Sequence, residues 1–200
     1  MTEFFTYRYK PYWIFNHRTS NLDLHTKTDW QLNMLWNEKV FLVQNTIANK
    51  DHLFDTTYYG WIDIGYFRNR SNDTHTDDLL WPNTNVLQSW PFTNGKIHYA
   101  CVQNDINVFQ KLLQTQNRTK TPSLVPCFAG GFFLLKPDNI STYTTLYQST
   151  LEHYFSHRSI IKDDQTIIQD IIFNNAELFY IHVETNPRVD NWFMFQRILR

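Results

Sequence analysis

An α/β fold, one sheet flanked by helices on both faces in a single domain over residues 1–200, is the architecture this sequence predicts. Three observations predict it. Short apolar or aromatic runs of strand length alternate with stretches in helical period. An acid or a glycine pair, Asp63, Gly130-Gly131 and Asp163-Asp164, falls at the ends of those runs, where such sheets bind ligands. With 200 residues, 42% hydrophobic and 17% aromatic, the chain can bury one sizeable core, and aromatic side chains should fill it or line a groove.

Composition also excludes classes of function. A net charge of -1 offers no general attraction to a phosphate backbone or an anionic membrane, so no nucleic-acid partner is expected. No apolar run approaches the roughly 18 residues of a membrane span. Residues 1–10 are aromatic and polar rather than charged and then apolar, so neither a transmembrane segment nor a signal peptide is read and a soluble, cytoplasmic protein is expected. Cys101 and Cys127 carry no disulfide framework and are expected as free thiols.

Residues 1–27 are rich in aromatics but weakly patterned, with Tyr9, Tyr12, Trp13 and Phe15 as candidates for packing on the body. From an N-cap at Thr28 or Asp29, apolar positions at Leu32, Leu35, Trp36, Val40, Val43 and Ile47 trace one buried helical face. Lys39 lies off that stripe and, on spacing alone, is solvated. The aromatic run Tyr58–Ile62 reads as a strand that delivers Asp63 to its tip, with Gly65 allowing the turn. A lone acid there satisfies nearby backbone N–H groups or binds a cation; both readings stand.

Asp73, His75, Asp77 and Asp78 crowd the loop that follows, but their spacing matches no metal motif and a solvated acidic loop is favoured. Trp81-Pro82 and Trp90-Pro91 mark turns, and residues 96–103 read as a strand followed by a helix over about 105–116. In the run 127–137, Gly130-Gly131 precedes the apolar strand Phe132–Leu135. The pair permits close approach of a ligand to the backbone or supplies a bulge needing positive φ. A helix over about 140–156 carries Leu146, Leu151 and Tyr154. Asp163-Asp164-Gln165 opens another, with Ile167, Ile168, Ile171 and Ile172 facing the core, and the acids read first as capping residues. A last strand over 178–183 ends near His182, and 192–200 forms a tail.

Trp61-Ile62-Asp63-Ile64-Gly65 with Arg68, Ala129-Gly130-Gly131-Phe132-Phe133 and Asp163-Asp164-Gln165, in that order, resemble the HtrL/YibB-like proteins of bacterial surface-polysaccharide loci. Leu35–Lys39 and Phe41–Val43 fit the same pattern. Those proteins are similar to GT-A type glycosyltransferases, which move a sugar from a nucleotide-diphosphate donor to an acceptor hydroxyl. The resemblance therefore implies a GT-A-like fold with a mixed sheet flanked by helices, a nucleotide-sugar donor and a surface-glycan or glycoprotein acceptor.

It further implies Mn²⁺ or Mg²⁺ held by Asp63 and His182, because a hard ion takes oxygen ligands and neutralises the departing diphosphate. Asp164 or Asp163 becomes general base or polar stabiliser near the reacting carbon. Trp61, Arg68, Gly130, Gly131, Gln165 and Lys39 become substrate-binding residues. The chain departs from the GT-A pattern where Gly65 replaces the second acid of the usual metal motif. It also has few residues ahead of the Asp29 helix, which implies an abbreviated domain or a fragment of a longer gene. From other classes, a non-catalytic carbohydrate-binding remnant using Trp61, Trp81, Trp90 and Trp192 is the alternative, and a metal hydrolase on the Asp73–Asp78 loop ranks last.

Overall fold

The computed structural model describes residues 3–49, 56–67, 81–103, 105, 107 and 125–200. Helices α1 (Lys10–Phe15), α2 (Leu22–His25), α3 (Trp30–Trp36) and α4 (Lys39–Ala48) lead into strand β1 (Tyr59–Ile62). After α5 (Thr84–Leu87) come β2 (Ile97–Ala100), β3 (Phe132–Leu135), α6 (Ile140–Ser156), α7 (Asp164–Asn174), β4 (Phe179–His182) and α8 (Met194–Ile198). Arg68, the loop with Asp73, His75, Asp77 and Asp78, and the helix expected over 105–116 all lie, wholly or in large part, outside the described residues.

The sheet is mixed, in the order β1-β3-β2-β4, with β3 antiparallel to β1 and β2, and β4 parallel to β2. Strands β1, β2 and β4 therefore run the same way, and their carboxyl ends share one edge. Successive strand residues face opposite sides, so each strand feeds two cores. Phe133 and Leu135 of β3, with Ile97, Tyr99 and Phe179, pack under α4, α6 and α7. Phe132 of β3, with Ala100, meets Tyr66, Phe92, Phe193, Met194, Phe195 and Leu199 on the other face. As the composition predicted, the first core is heavily aromatic. Three of its buried tyrosine hydroxyls are paired, Tyr99 with Tyr143 at 2.6 Å and Tyr147 with Asn37 Oδ1 at 2.9 Å, which offsets the cost of burying them, whereas the Tyr154 hydroxyl is buried without a hydrogen bond among the described residues.

The amino-terminal segment, unpatterned in sequence, is ordered as a run of short helices that belongs to the first core. Trp13 is 1% exposed and its indole donates to the Thr6 carbonyl at 3.1 Å. Truncating it to Ala should cost about 3–5 kcal/mol. Periodicity misses this segment because no one helix in it is long enough to show a stripe.

The helix expected from Asp29 to Ile47 is broken after Trp36. Glu38, wholly buried, turns its carboxylate to the backbone N–H groups of Phe5 and Thr6, both at 2.8 Å, and to the Thr6 hydroxyl at 2.5 Å. The carboxylate thus caps the helical turn at Phe5–Tyr9, while Asn37 and Glu38 form a turn between α3 and α4. Lys39 becomes the first residue of α4, and Asp29 stands at the N-cap of α3 without a side-chain capping bond. Among the described residues, no helix is long and apolar enough to cross a membrane. Cys101 and Cys127 are free and buried.

Candidate functional site

Strand β1 leads directly into Asp63, whose N–H donates to the Gly131 carbonyl at 2.9 Å and whose carbonyl accepts from Tyr66 N–H at 2.8 Å, closing a turn through Gly65. Across from it, β3 changes register at the glycine pair. His98 faces Leu134, yet three residues on Cys101 faces Phe128, where an unbroken ladder would place Gly131. Ala129–Gly131 thus bulge out of the sheet. Neither Gly130 nor Gly131 has positive φ, so the bulge needs glycine for room, not for φ. A Cβ on Gly130 would stand 2.8 Å from Asp164 Oδ2, and one on Gly131 3.3 Å from Asp63 Oδ2. The groups that approach the backbone closely here are the protein's own carboxylates.

Between those carboxylates sits Lys39. Expected in solvent, it is 6% exposed, with Nζ 3.1 Å from Asp63 Oδ1, 2.9 Å from Asp164 Oδ2 and 2.9 Å from the Gly130 carbonyl. An ammonium has three donors, and three acceptors surround it. A cation at a helix N-terminus opposes the helix dipole, and the two acids offset that cost. Burial works to lower the Lys39 pKa, but Asp164 and Asp63 outweigh it and hold the ammonium above its usual range.

Asp164 opens α7 and is 5% exposed. Burial pushes its carboxyl up to about 6 in spite of Lys39, and the neighbouring Asp163 adds to the rise. Its Oδ2 touches Lys39 as an ion pair but, among the described residues, receives no hydrogen bond of good geometry. Asp163 stands at the N-cap position of α7, where the backbone N–H groups of Gln165 and Thr166 favour its charged form although no side-chain capping bond of full geometry forms. Burial raises Asp163 as well.

The segment before these acids is held by asparagines the sequence reading passed over. Asn16, Asn21 and Asn33 each donate a side-chain N–H to the Ile161 carbonyl, at 2.9, 3.1 and 2.9 Å. Asn21 and Asn33 also reach the Lys162 carbonyl, and Asn16 Oδ1 accepts from Ile161 N–H. The amino-terminal helices thereby fix where Asp163 and Asp164 enter the cleft. Buried asparagines at two helical positions, Asn16 and Asn33, and at Asn21 between helices, where an apolar residue is the norm, are the signal that could have found them.

Lys39, Trp61, Asp63, Gly130, Gly131, Asp163, Asp164 and Gln165 line one cleft of about 600 Å³, with Trp36, Tyr66 and Trp192 among its walls. Eight of the ten expected site residues thus come together. Trp61 donates its indole N–H to Asp63 Oδ1 at 2.6 Å, and Gln165 anchors to the Phe128 carbonyl at 2.9 Å. Of the tryptophans expected as sugar platforms, Trp61 and Trp192 line this cleft, whereas Trp81 lines a separate apolar pocket and Trp90 is 71% exposed elsewhere.

His182 does not line the cleft. It lies in the second core, its Nε2 3.1 Å from His98 Nδ1 and its ring stacked on Phe92. Burial pushes His182 down to about 4 and His98 to about 3, so the pair is neutral near pH 7. Nor do the remaining donors fit Mn²⁺ or Mg²⁺ as arranged. The oxygens of Asp63, Asp164 and Gly130 stand 2.9–3.1 Å from Lys39 Nζ, a shell sized for an ammonium, whereas Mg–O distances are about 2.0–2.1 Å. Among the described residues, no group of three or more His, Cys, Asp or Glu side chains is placed to hold a metal.

Neither a curated protein nor a solved structure matches the chain. The family model HtrL_YibB, described as a bacterial protein of unknown function, matches residues 15–200, a span that holds every described residue of the cleft. The chain belongs to the HtrL_YibB family.

Proposed function

We propose that the cleft is the active site of a GT-A type glycosyltransferase that moves a sugar from a nucleotide-diphosphate donor to a glycan or glycoprotein acceptor. The observation that carries this reading is the meeting of three separated motifs, at Asp63, Gly130-Gly131 and Asp163-Asp164, beside the carboxyl end of β1, around a buried carboxyl whose pKa is about 6. A base with a pKa near the working pH is suited to accept a proton during reaction. In direct displacement, the acceptor oxygen forms its bond to the anomeric carbon as the bond from that carbon to the phosphate oxygen breaks. The nucleoside diphosphate leaves with the electron pair, and the hydroxyl proton passes to Asp164. Asp63 accepts hydrogen bonds from sugar hydroxyls, while Trp36, Trp61 and Trp192 offer faces for the rings. Lys39, enclosed by two carboxylates and the Gly130 carbonyl, acts on the carboxylates and not on the substrate.

One observation favours a second reading, a non-catalytic carbohydrate-binding protein. The described lining carries three carboxylates and one ammonium, a balance that suits hydroxyls better than a diphosphate. Thermal unfolding with UDP, GDP, CDP and ADP separates the two. A ligand at a hundred times its dissociation constant adds about 2.7 kcal/mol, which for a chain of this length is roughly 5 to 10 °C. A shift with one nucleotide, lost in Trp61→Ala, supports the transferase. No shift with any nucleotide, alongside a shift with free sugars, transfers support to the binding protein.

A further inference from the structure

We infer that Lys39, the one cation among the described residues of this cleft, stands in the place of a divalent ion, so that the site works without a bound metal. The resemblance to GT-A enzymes leads one to expect a divalent ion at Asp63. At that place the chain supplies an ammonium. Lys39 Nζ is surrounded by a carboxylate at the end of β1, a carboxylate at the start of α7 and a carbonyl from the β3 bulge, all at 2.9–3.1 Å. These are hard oxygen donors from three separate elements, the donor type that a magnesium or manganese ion takes, held at the wider spacing of an ammonium. The glycines complete the arrangement, since a Cβ on Gly130 would displace Asp164 and one on Gly131 would press on Asp63.

Gly65 stands where a metal motif would have its second acid, and a singly charged ammonium needs less negative charge around it than a divalent ion. The ammonium is also fixed: it cannot be lost by chelation, and its stem is buried in α4 with Nζ 5.9 Å from the Trp61 ring centroid. As an account of how charge in the cleft is balanced during transfer, the inference rests on the transferase reading. As an account of cation binding it does not, and its test reads metal binding alone.

The test is a Mn²⁺ titration followed by the electron paramagnetic resonance signal of the free ion, on the parent chain, Lys39→Ala and Lys39→Ala/Asp63→Asn. The inference predicts no stoichiometric site on the parent, and one Mn²⁺ per Lys39→Ala chain bound at least about tenfold more tightly than by the parent. That site should be lost again in the double variant, and Mn²⁺ should raise the melting temperature of Lys39→Ala but not of the parent. A parent site that Asp63→Asn removes would overturn the inference, as would a folded Lys39→Ala chain that binds no Mn²⁺. Should Lys39→Ala not fold alone, Mn²⁺ added during refolding replaces it: rescue supports the inference and failure counts against it. Nucleotide binding by the parent in the presence of a chelator bears on the transferase reading separately.

Discussion

Around Ile161 and Lys162, side-chain amides of three asparagines satisfy two backbone carbonyls without a charge among them. Two residues further on, Asp164 is almost as deeply buried but ionisable, shares a single ammonium with Asp63, and keeps an oxygen without a well-formed hydrogen bond. The neutral cluster fixes geometry at little electrostatic cost. The charged one carries unrelieved desolvation, and this raises the Asp164 pKa. Placing the two side by side lets the fold hold a carboxyl of raised pKa still without lowering that pKa through the bonds that hold it.

Removing the cation should break the contrast most severely. Lys39→Met leaves Asp164 buried and unpaired, with an expected loss of about 3–5 kcal/mol, while half-exposed Asp63 adds little because water screens it. On a melting curve at pH 7 this is roughly 10 °C. The loss should shrink below pH 6, where a protonated Asp164 no longer needs the ammonium.

Asp164→Asn should act in the opposite direction. The folded carboxyl has its pKa raised from 3.8 to about 6, so the stability it contributes is full below pH 3.8 and is lost as pH rises through 6. An amide has no such loss. The variant should match the parent at low pH and exceed it by about 3 kcal/mol above pH 6, which melting curves across pH 3.5–8 would reveal. On the transferase proposal, sugar transfer falls in the same variant, an exchange of activity for stability. Equal stability of parent and variant across that range would remove the contrast between the clusters.

On the neutral side, Asn33→Ala removes donors from the Ile161 and Lys162 carbonyls and should cost about 1–3 kcal/mol in denaturant unfolding. It should also weaken ligand binding, although Asn33 does not line the cleft. Gly130→Ala should cost about 1–2 kcal/mol by forcing Asp164 aside, and Gly131→Ala less, because its Cβ would meet the more exposed Asp63 at the longer distance. A reversed order would mean that backbone conformation, rather than the carboxylates, selects glycine there.

The two clusters were not equally legible in the sequence. Asp63 after an aromatic strand, the glycine pair before Phe132–Leu135 and the acids opening α7 all carry local signals, and the structure brings them together. The helix over 140–156 follows from its apolar spacing and appears with those bounds. Lys39 was misplaced because helical periodicity knows only hydrophobicity: the acids that bury it come from β1 and α7, far along the chain. The asparagine cluster was missed for a related reason. Its partners are backbone carbonyls, which no residue type advertises, and its donors sit partly on short amino-terminal helices that leave no periodic trace. His182 shares the carboxyl edge of the sheet with Asp63, yet β4 lies three strands away from β1, and His98 engages its ring instead.

The most direct measurement is the titration of the Asp164 side-chain carboxyl by carbon-13 NMR, its resonance assigned by its absence in Asp164→Asn. A midpoint near 6 is what burial beside a shared ammonium predicts. A midpoint below 4, the ordinary carboxylate range, would mean that Lys39 and hidden donors fully compensate the burial, and would contradict the account of Asp164 as a carboxyl held ready to take a proton.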